Sequence, residues 1–250
     1  MDISINGSFL DGIELVIFDK DGTLTDLYTY WSWVANERAR LIRMRLGLNK
    51  AQRFAIADAM GLDVVHSCFK PEGPIGVKKR TEVATAVGAY LSSIGKTGVA
   101  DVVDESFTNA DKNAEAHLRE IVKPLPGAVE LVTAMQGKCK VAVATADLTA
   151  RAESALAMIG ILHLDSVVGG DRIKKSKPDP DSINVVLSDL GASRINTIII
   201  GDSKYDILCG KNAGIMAGVG VCTGLTSKEE LSASTKYVVN SLADIRVKGD

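Results

Sequence analysis

Five short apolar runs, each closed by Gly or Asp, constrain the fold more than any other feature of the chain. They are LVIFD at 15–19, VAVATAD at 141–147, SVVGGD at 166–171, TIIIGD at 197–202 and AGVGVCTG at 217–224. A strand with one wet face alternates apolar and polar residues, whereas uninterrupted Val/Ile/Ala runs fit strands buried on both faces, as in a parallel sheet. Segments of helical character lie between them, at 126–135, 149–158, 181–190 and 203–213. Strands alternating with helices of this length predict an α/β domain with a doubly wound, Rossmann-like parallel sheet.

Between 27 and 122 the strand-like runs disappear. Ala35, Ala39, Ile42 and Leu46 follow i, i+4, i+7, i+11 spacing, which is one face of a helix. Further helices are expected at 50–60, 78–92 and 101–121, broken near Gly61, the PEGPIG segment at 71–76, and 95–98. The predicted organisation is an α/β core of 1–26 and 123–250, interrupted by an all-helical insert at 27–122. The return segment VKPLPG at 122–127 carries two prolines, which suit a stiff hinge.

Composition narrows the function classes. The 250 residues are 46% apolar and 24% charged, the balance of an ordinary globular protein. A formal net charge of -2 gives no basic footprint for nucleic acid. Cys68, Cys139, Cys209 and Cys222 stand far apart, with neither CxxC spacing nor a Cys/His group. No basic leader precedes the first apolar run, and nothing approaches the roughly 20 apolar residues that span a bilayer. A cytoplasmic protein without nucleic-acid or membrane partners, monomeric or homodimeric, is the expectation.

Ligands of such sheets bind outside the carboxyl ends of the strands, so the residues closing each run are the candidates. LVIF is followed by Asp19, Lys20 and Asp21. If the strand continues briefly, the two carboxylates share a side and Lys20 points away as a bystander. Converging carboxylates need a cation or a shared proton, and a hard divalent ion such as Mg²⁺ is the obvious partner. Gly22 permits a tight turn, and Thr23 offers a hydroxyl and an amide. Asp202 closes the fourth run, with Ser203 placed to cap a helix and Asp206 in its first turn. Thr145, Ala146 and Asp147 supply a hydroxyl and free amides at a strand end, as an anion cradle requires. Lys174, Lys175 and Lys177 precede a Pro-rich turn, and one of them can bring positive charge to an oxyanion.

Taken together, these residues resemble the four motifs of the haloacid dehalogenase superfamily. DKDGTLTD at 19–26 looks like motif I, VAVAT ending at Thr145 like motif II, Lys177 before PDPD like motif III, and GDSKYD at 201–206 like motif IV. The insert begins where that family places its cap, and the nearest branch holds phosphoglycolate phosphatases and β-phosphoglucomutases. The resemblance implies a Mg²⁺-dependent phosphatase acting on a small phosphate ester. Asp19 is the implied nucleophile, forming an aspartyl-phosphate. Asp21 is the implied general acid and base. Gly22, Thr23, Thr145, Ala146 and Lys177 are the implied phosphate and substrate contacts. The implied metal set is Asp19, Asp21 through its backbone carbonyl, Asp202 and Asp206, the last by orienting the shell or Lys177.

Two positions depart from the family pattern. Ser176 precedes the motif III lysine where Gly is common, and Ala146-Asp147 follow Thr145 where many relatives carry Asn or Gly. A phosphosugar mutase would use the same core, and a catalytically silent binding protein could share the fold. Arg38, Arg40, Arg43 and Arg45 border the apolar stripe of the first insert helix, where any of them could meet a carboxylate or second phosphate on the substrate, although long charged side chains there ordinarily face water.

Overall fold

A computed structural model of the protein describes residues 1–248 except 67, 71, 72 and 77. The chain forms two compact units, Met1–Asp26 with Val122–Asp250, and Leu27–Ile121. Its strands are β1 (Ile3–Ile5), β2 (Ser8–Leu10), β3 (Leu15–Phe18), β4 (Leu62–Asp63), β5 (Cys68–Phe69), β6 (Lys140–Ala144), β7 (Ser166–Val168), β8 (Thr197–Gly201), β9 (Ala217–Val221), β10 (Val238–Val239) and β11 (Ile245–Val247).

In the first unit, six strands form one sheet in the order β10-β9-β8-β3-β6-β7. Every pairing in it is parallel. The uninterrupted apolar runs account for this, because both faces are dry. Val16 and Phe18 enter one core cluster, with Val143, Ile198 and Ile200. Leu15 and Ile17 enter the opposite one, with Ala142, Ala144 and Ile199. Burying each such side chain is worth about 1.5–3 kcal/mol, so a polar residue anywhere in β3 would be expensive. The expected doubly wound α/β architecture is borne out.

Register then sets the site. Phe18 lies opposite Ile200 of β8 and Val143 of β6. The residues just beyond these ends, Asp19, Asp202 and Thr145, therefore emerge along one edge of the sheet. Since β3 precedes its two neighbours in sequence and sits between them, this edge is also the topological switch point where such sheets bind ligands.

The second unit is mainly helical, with helices Leu27–Leu46, Lys50–Ala59, Arg80–Ser93, Ala100–Ala116 and Leu118–Ile121. Asn49 caps the second of these in a reciprocal capping box with Gln52. The helix expected at 101–121 is instead two, divided at His117, and a small antiparallel pair, β4 with β5, lies in the region read as purely helical. Of the expected PEGPIG break, residues 71 and 72 lie outside the described residues. Arg38 does not face water: it is 1% exposed, donates to Asp111 Oδ1 at 2.9 Å, and lies 4.1 Å from the Phe107 ring centroid. Its charge is met by a carboxylate and a π-face, the two partners that make a buried guanidinium tolerable.

A further antiparallel sheet, β11-β1-β2, joins both ends of the described chain. Ile3 pairs with Val247 and Ile5 with Ile245. Among the described residues no helix is long and apolar enough to cross a membrane.

Candidate active site

Asp19 leaves β3 while still hydrogen-bonded through its amide to the Ile200 carbonyl at 2.8 Å. Its side chain is buried, and Lys177 Nζ donates to Oδ1 at 2.7 Å. Among the described residues that lysine is the only hydrogen-bond donor to the Asp19 carboxylate. Burial pushes the Asp19 carboxyl up to about 7, against the opposing pull of Lys177 and with a further upward push from Asp206.

The chain turns immediately after Asp19. The Lys20 carbonyl accepts from the amides of Leu24 at 2.8 Å and Thr25 at 2.9 Å, and Gly22 takes φ +93°. A side chain at Gly22 is excluded on two grounds: the left-handed backbone, and Asp202, whose carboxylate lies 2.7 Å from where a Cβ would sit. Asp21 is buried, and its Oδ1 accepts from both Lys20 Nζ at 2.6 Å and Thr25 Oγ1 at 2.9 Å. Lys20 is not a bystander pointing away. It is 1% exposed and buried beside the acid it was expected to avoid, because the strand geometry on which that expectation rests ends at this residue.

From β8, Asp202 accepts the Leu225 amide at 3.1 Å on Oδ2, and the Thr23 hydroxyl lies 3.4 Å from Oδ1. Asp206 sits in the first turn of helix Lys204–Ala213, in a capping box with Ser203. Its Oδ2 accepts the Ser203 amide and hydroxyl at 3.1 and 2.8 Å, and its Oδ1 accepts Lys177 Nζ at 2.6 Å. Of the three candidate lysines, Lys177 is the one brought here, with a third bond to the Ala144 carbonyl at 2.8 Å. Burial alone would ease its proton off, but Asp19 and Asp206 more than compensate and hold the ammonium charged.

Thr145 is buried beyond β6, and its hydroxyl oxygen accepts the Asp147 amide at 3.1 Å, which leaves the hydroxyl proton available to a ligand. The expected cradle of free amides is only partly formed. The Thr145 amide is bonded to Val168 and the Asp147 amide to Thr145, leaving Ala146 as the one of the three whose amide lacks a hydrogen bond among the described residues.

Carboxylate oxygens of Asp19, Asp202 and Asp206 all lie within 4.8 Å of one another. Burial first, and then Asp19 and Asp206, push the Asp202 carboxyl well above the ordinary range. One lysine cannot balance three buried acids, so this all-oxygen set fits a hard divalent cation. The Asp21 carboxylate is not part of the cluster; Lys20 and Thr25 hold it. Both Asp206 oxygens already accept hydrogen bonds, which suits a residue that orients others. Gly224 keeps the loop after β9 against the set, since a Cβ there would lie 1.7 Å from Asp202 Oδ2.

Residues 16–219 match the haloacid dehalogenase-like hydrolase family. The chain belongs to that family. The hydrolase is 29% identical over 234 residues to "Probable phosphatase IndB" of Dickeya dadantii, covering 90% of this chain and 88% of that protein. It is 27% identical over 206 residues to a phosphoglycolate phosphatase of Vibrio cholerae, covering 82% and 83% of the two chains. Its fold is shared with the crystal structure of a predicted phosphoglycolate phosphatase from Haemophilus somnus at TM-score 0.72 and 20% identity, over 94% of this chain and 97% of that one. The expected family is therefore borne out, as is the branch.

Three contributors at this site are not legible from strand ends and motif spacing. Lys20 reads as a bystander under period-two geometry. Arg151, on helix Thr149–Met158, donates from Nε to Asp147 Oδ1 at 2.5 Å and lies outside every motif, although its i+4 spacing from Asp147 is a usable signal. The Leu225 amide has no sequence signal, since a backbone donor carries none.

Proposed function

We propose that the chain is a Mg²⁺-dependent phosphatase that hydrolyses a small phosphomonoester through an aspartyl-phosphate on Asp19. The observation carrying this reading is the division of the two motif acids. Asp19 stands in the three-acid cluster with a single bond from Lys177, while Asp21, two residues on, is held outside that cluster by Lys20 and Thr25. This division supports a nucleophile in Asp19 and a proton carrier in Asp21.

In this reading, an Asp19 oxygen attacks phosphorus as the bond to the leaving oxygen breaks, and Asp21 gives that oxygen its proton. Water then attacks the phosphorus of the acyl phosphate and passes a proton to Asp21, which restores the Asp19 carboxylate and releases inorganic phosphate. Lys177 and Thr145 neutralise and orient the phosphoryl oxygens, with the Ala146 amide as a further donor and Gly22 and Thr23 bordering the same space. Asp206 fixes Lys177. A Mg²⁺ held by Asp19, Asp202 and the Asp21 carbonyl would supply charge neutralisation to the transferring group.

The helical unit Leu27–Ile121 is the proposed cap that selects the substrate, within the phosphoglycolate or sugar-phosphate class that the relatives suggest. The four thiols, none in a disulfide, suit a cytoplasmic enzyme. The test is a panel of phosphomonoesters assayed with and without Mg²⁺, beside Asp19→Asn. Turnover should require both the ion and Asp19. Hydrolysis that persists after chelation or in Asp19→Asn refutes the mechanism, and isomerisation of a phosphosugar primed by a bisphosphate, without net hydrolysis, would make the enzyme a mutase.

A further inference from the structure

Lys20, between the two acids of motif I, and Asp147, in the departure from the family pattern after Thr145, meet in space. Lys20 Nζ lies 2.6 Å from Asp21 Oδ1 and 3.3 Å from Asp147 Oδ2, the latter as an ion pair without hydrogen-bond geometry. Asp147 Oδ1 accepts from Arg151 Nε at 2.5 Å, and Arg151 Nη2 is paired to the same oxygen. All four side chains are 4% exposed or less. They form a row of alternating charge, acid, base, acid, base, starting at Asp21 and ending at Arg151.

A buried lysine is costly unless its charge is matched, and this one is matched from both sides. Burial alone would lower the proton affinity of Lys20, but Asp21 and Asp147 outweigh it. For Asp147, burial is likewise outweighed, by Arg151 and Lys20. Lys20 and Asp147 are thus both held charged within the row. Its effect on Asp21 is directional. Both hydrogen bonds to that carboxylate, from Lys20 and Thr25, land on Oδ1, and among the described residues none reaches Oδ2. Lys20 is fixed at its other end too, because its carbonyl accepts the amides of Leu24 and Thr25 and the Thr25 hydroxyl at 3.2 Å. A carboxyl group anchored by one oxygen presents the other in a single orientation, protonated to serve the leaving alcohol and bare to take the proton of the attacking water.

We infer that Lys20, braced by Asp147 and Arg151, is a positioning residue that clamps Asp21 by Oδ1 so that Oδ2 exchanges the proton with the leaving alcohol. This rests on the phosphatase reading above and adds a specific residue to it. The role predicts a dependence on the leaving group. An alkyl phosphate expels an alkoxide that must be protonated, whereas p-nitrophenyl phosphate expels a phenolate that is stable without a proton. Loss of the clamp should harm the first and spare the second, and a merely structural role would harm both alike.

The experiment measures kcat/KM, which covers only the steps up to departure of the alcohol, for an alkyl phosphate that the wild type hydrolyses and for p-nitrophenyl phosphate. Lys20→Met should lower the value for the alkyl ester by about 10²-fold, with a loss on the aryl ester at least about tenfold smaller. Asp147→Asn should show the same selectivity in milder form. Because Lys20→Met leaves Asp147 and Arg151 unbalanced against Asp21, the Lys20→Met/Asp147→Asn pair, which keeps the row neutral, serves where the single variant does not fold. Added to Asp21→Asn, Lys20→Met should cost nothing further on the alkyl ester, since the group it positions is gone. Equal losses on the two esters, or additive losses in the Asp21→Asn background, would overturn the proposal. A wild type that hydrolyses neither ester nor any other phosphomonoester would instead overturn the phosphatase reading, and the clamp with it; a wild type active on both, with an unselective Lys20→Met, would overturn the clamp alone.

Discussion

Replacing Lys177 by Met tests whether the site is held together by charge. The side chain keeps most of its volume but loses the Nζ that donates to Asp19, Asp206 and the Ala144 carbonyl at 2.7, 2.6 and 2.8 Å. Asp19, Asp202 and Asp206 are then left together, buried, with no cation among them. Removing one partner of a buried ion pair costs about 3–5 kcal/mol, and for a chain of this size that lowers Tm by roughly 10 °C. The sign of the pH dependence comes from the shifts. The Lys177 ammonium is held charged more strongly in the fold than in the unfolded chain, so its contribution is present at every pH below its unfolded value near 10.5. Its main partner Asp19, however, titrates at about 7 in the fold, so below that pH the lysine faces a neutral carboxyl and is worth less. Urea unfolding of metal-free protein should therefore show the full loss at pH 8 and a clearly smaller one at pH 5.5. A loss of the same size at both pH values would mean that Lys177 acts by packing, and the charge argument would fall.

Three further outcomes are expected. Without a cation, Asp19 and Asp202 bind protons in the fold that the unfolded chain has released, so each proton that Mg²⁺ displaces should raise the Mg²⁺ needed for the same rise in Tm by about 10-fold per pH unit of acidification; a Mg²⁺ shift that is as large at pH 6 as at pH 8 contradicts the acid cluster as the binding site. Gly224→Ala drives a Cβ to within 1.7 Å of Asp202 Oδ2 and should cost about 1–3 kcal/mol by overpacking, together with weaker Mg²⁺ binding by titration calorimetry; unchanged affinity would show that the loop does not set the position of Asp202. Burial pushes the Cys139 thiol up to about 11, whereas Cys68 is exposed, so iodoacetamide at pH 7.5 should label Cys68 well before Cys139, as read by peptide mass mapping; the reverse order would contradict the packing around β6.

The sequence by itself determined the layered core and most of the site. Runs such as LVIF and TIIIG leave no wet face, so they can only be inner strands of a parallel sheet, and the residues just past the ends of such strands are where that architecture gathers its polar groups. Asp19, Thr145, Asp202 and Asp206 could be named because each sits at a fixed offset from a run, whereas the choice of Lys177 over Lys174 and Lys175 came from the family resemblance. Tertiary structure decided the rest, for reasons of range and geometry. The pairing of Ile3 with Val247 joins two three-residue strands from opposite ends of the chain, and neither is long enough to carry a period of its own. The burial of Arg38 depends on Asp111 and Phe107, which arrive from another helix, so local amphipathicity places it at the surface. Lys20 is the sharpest case. Period-two reasoning sends it away from its neighbouring acids, but the turn that closes on its own carbonyl ends the strand there, and Asp147, more than a hundred residues later in the chain, supplies the second charge that makes its burial tolerable.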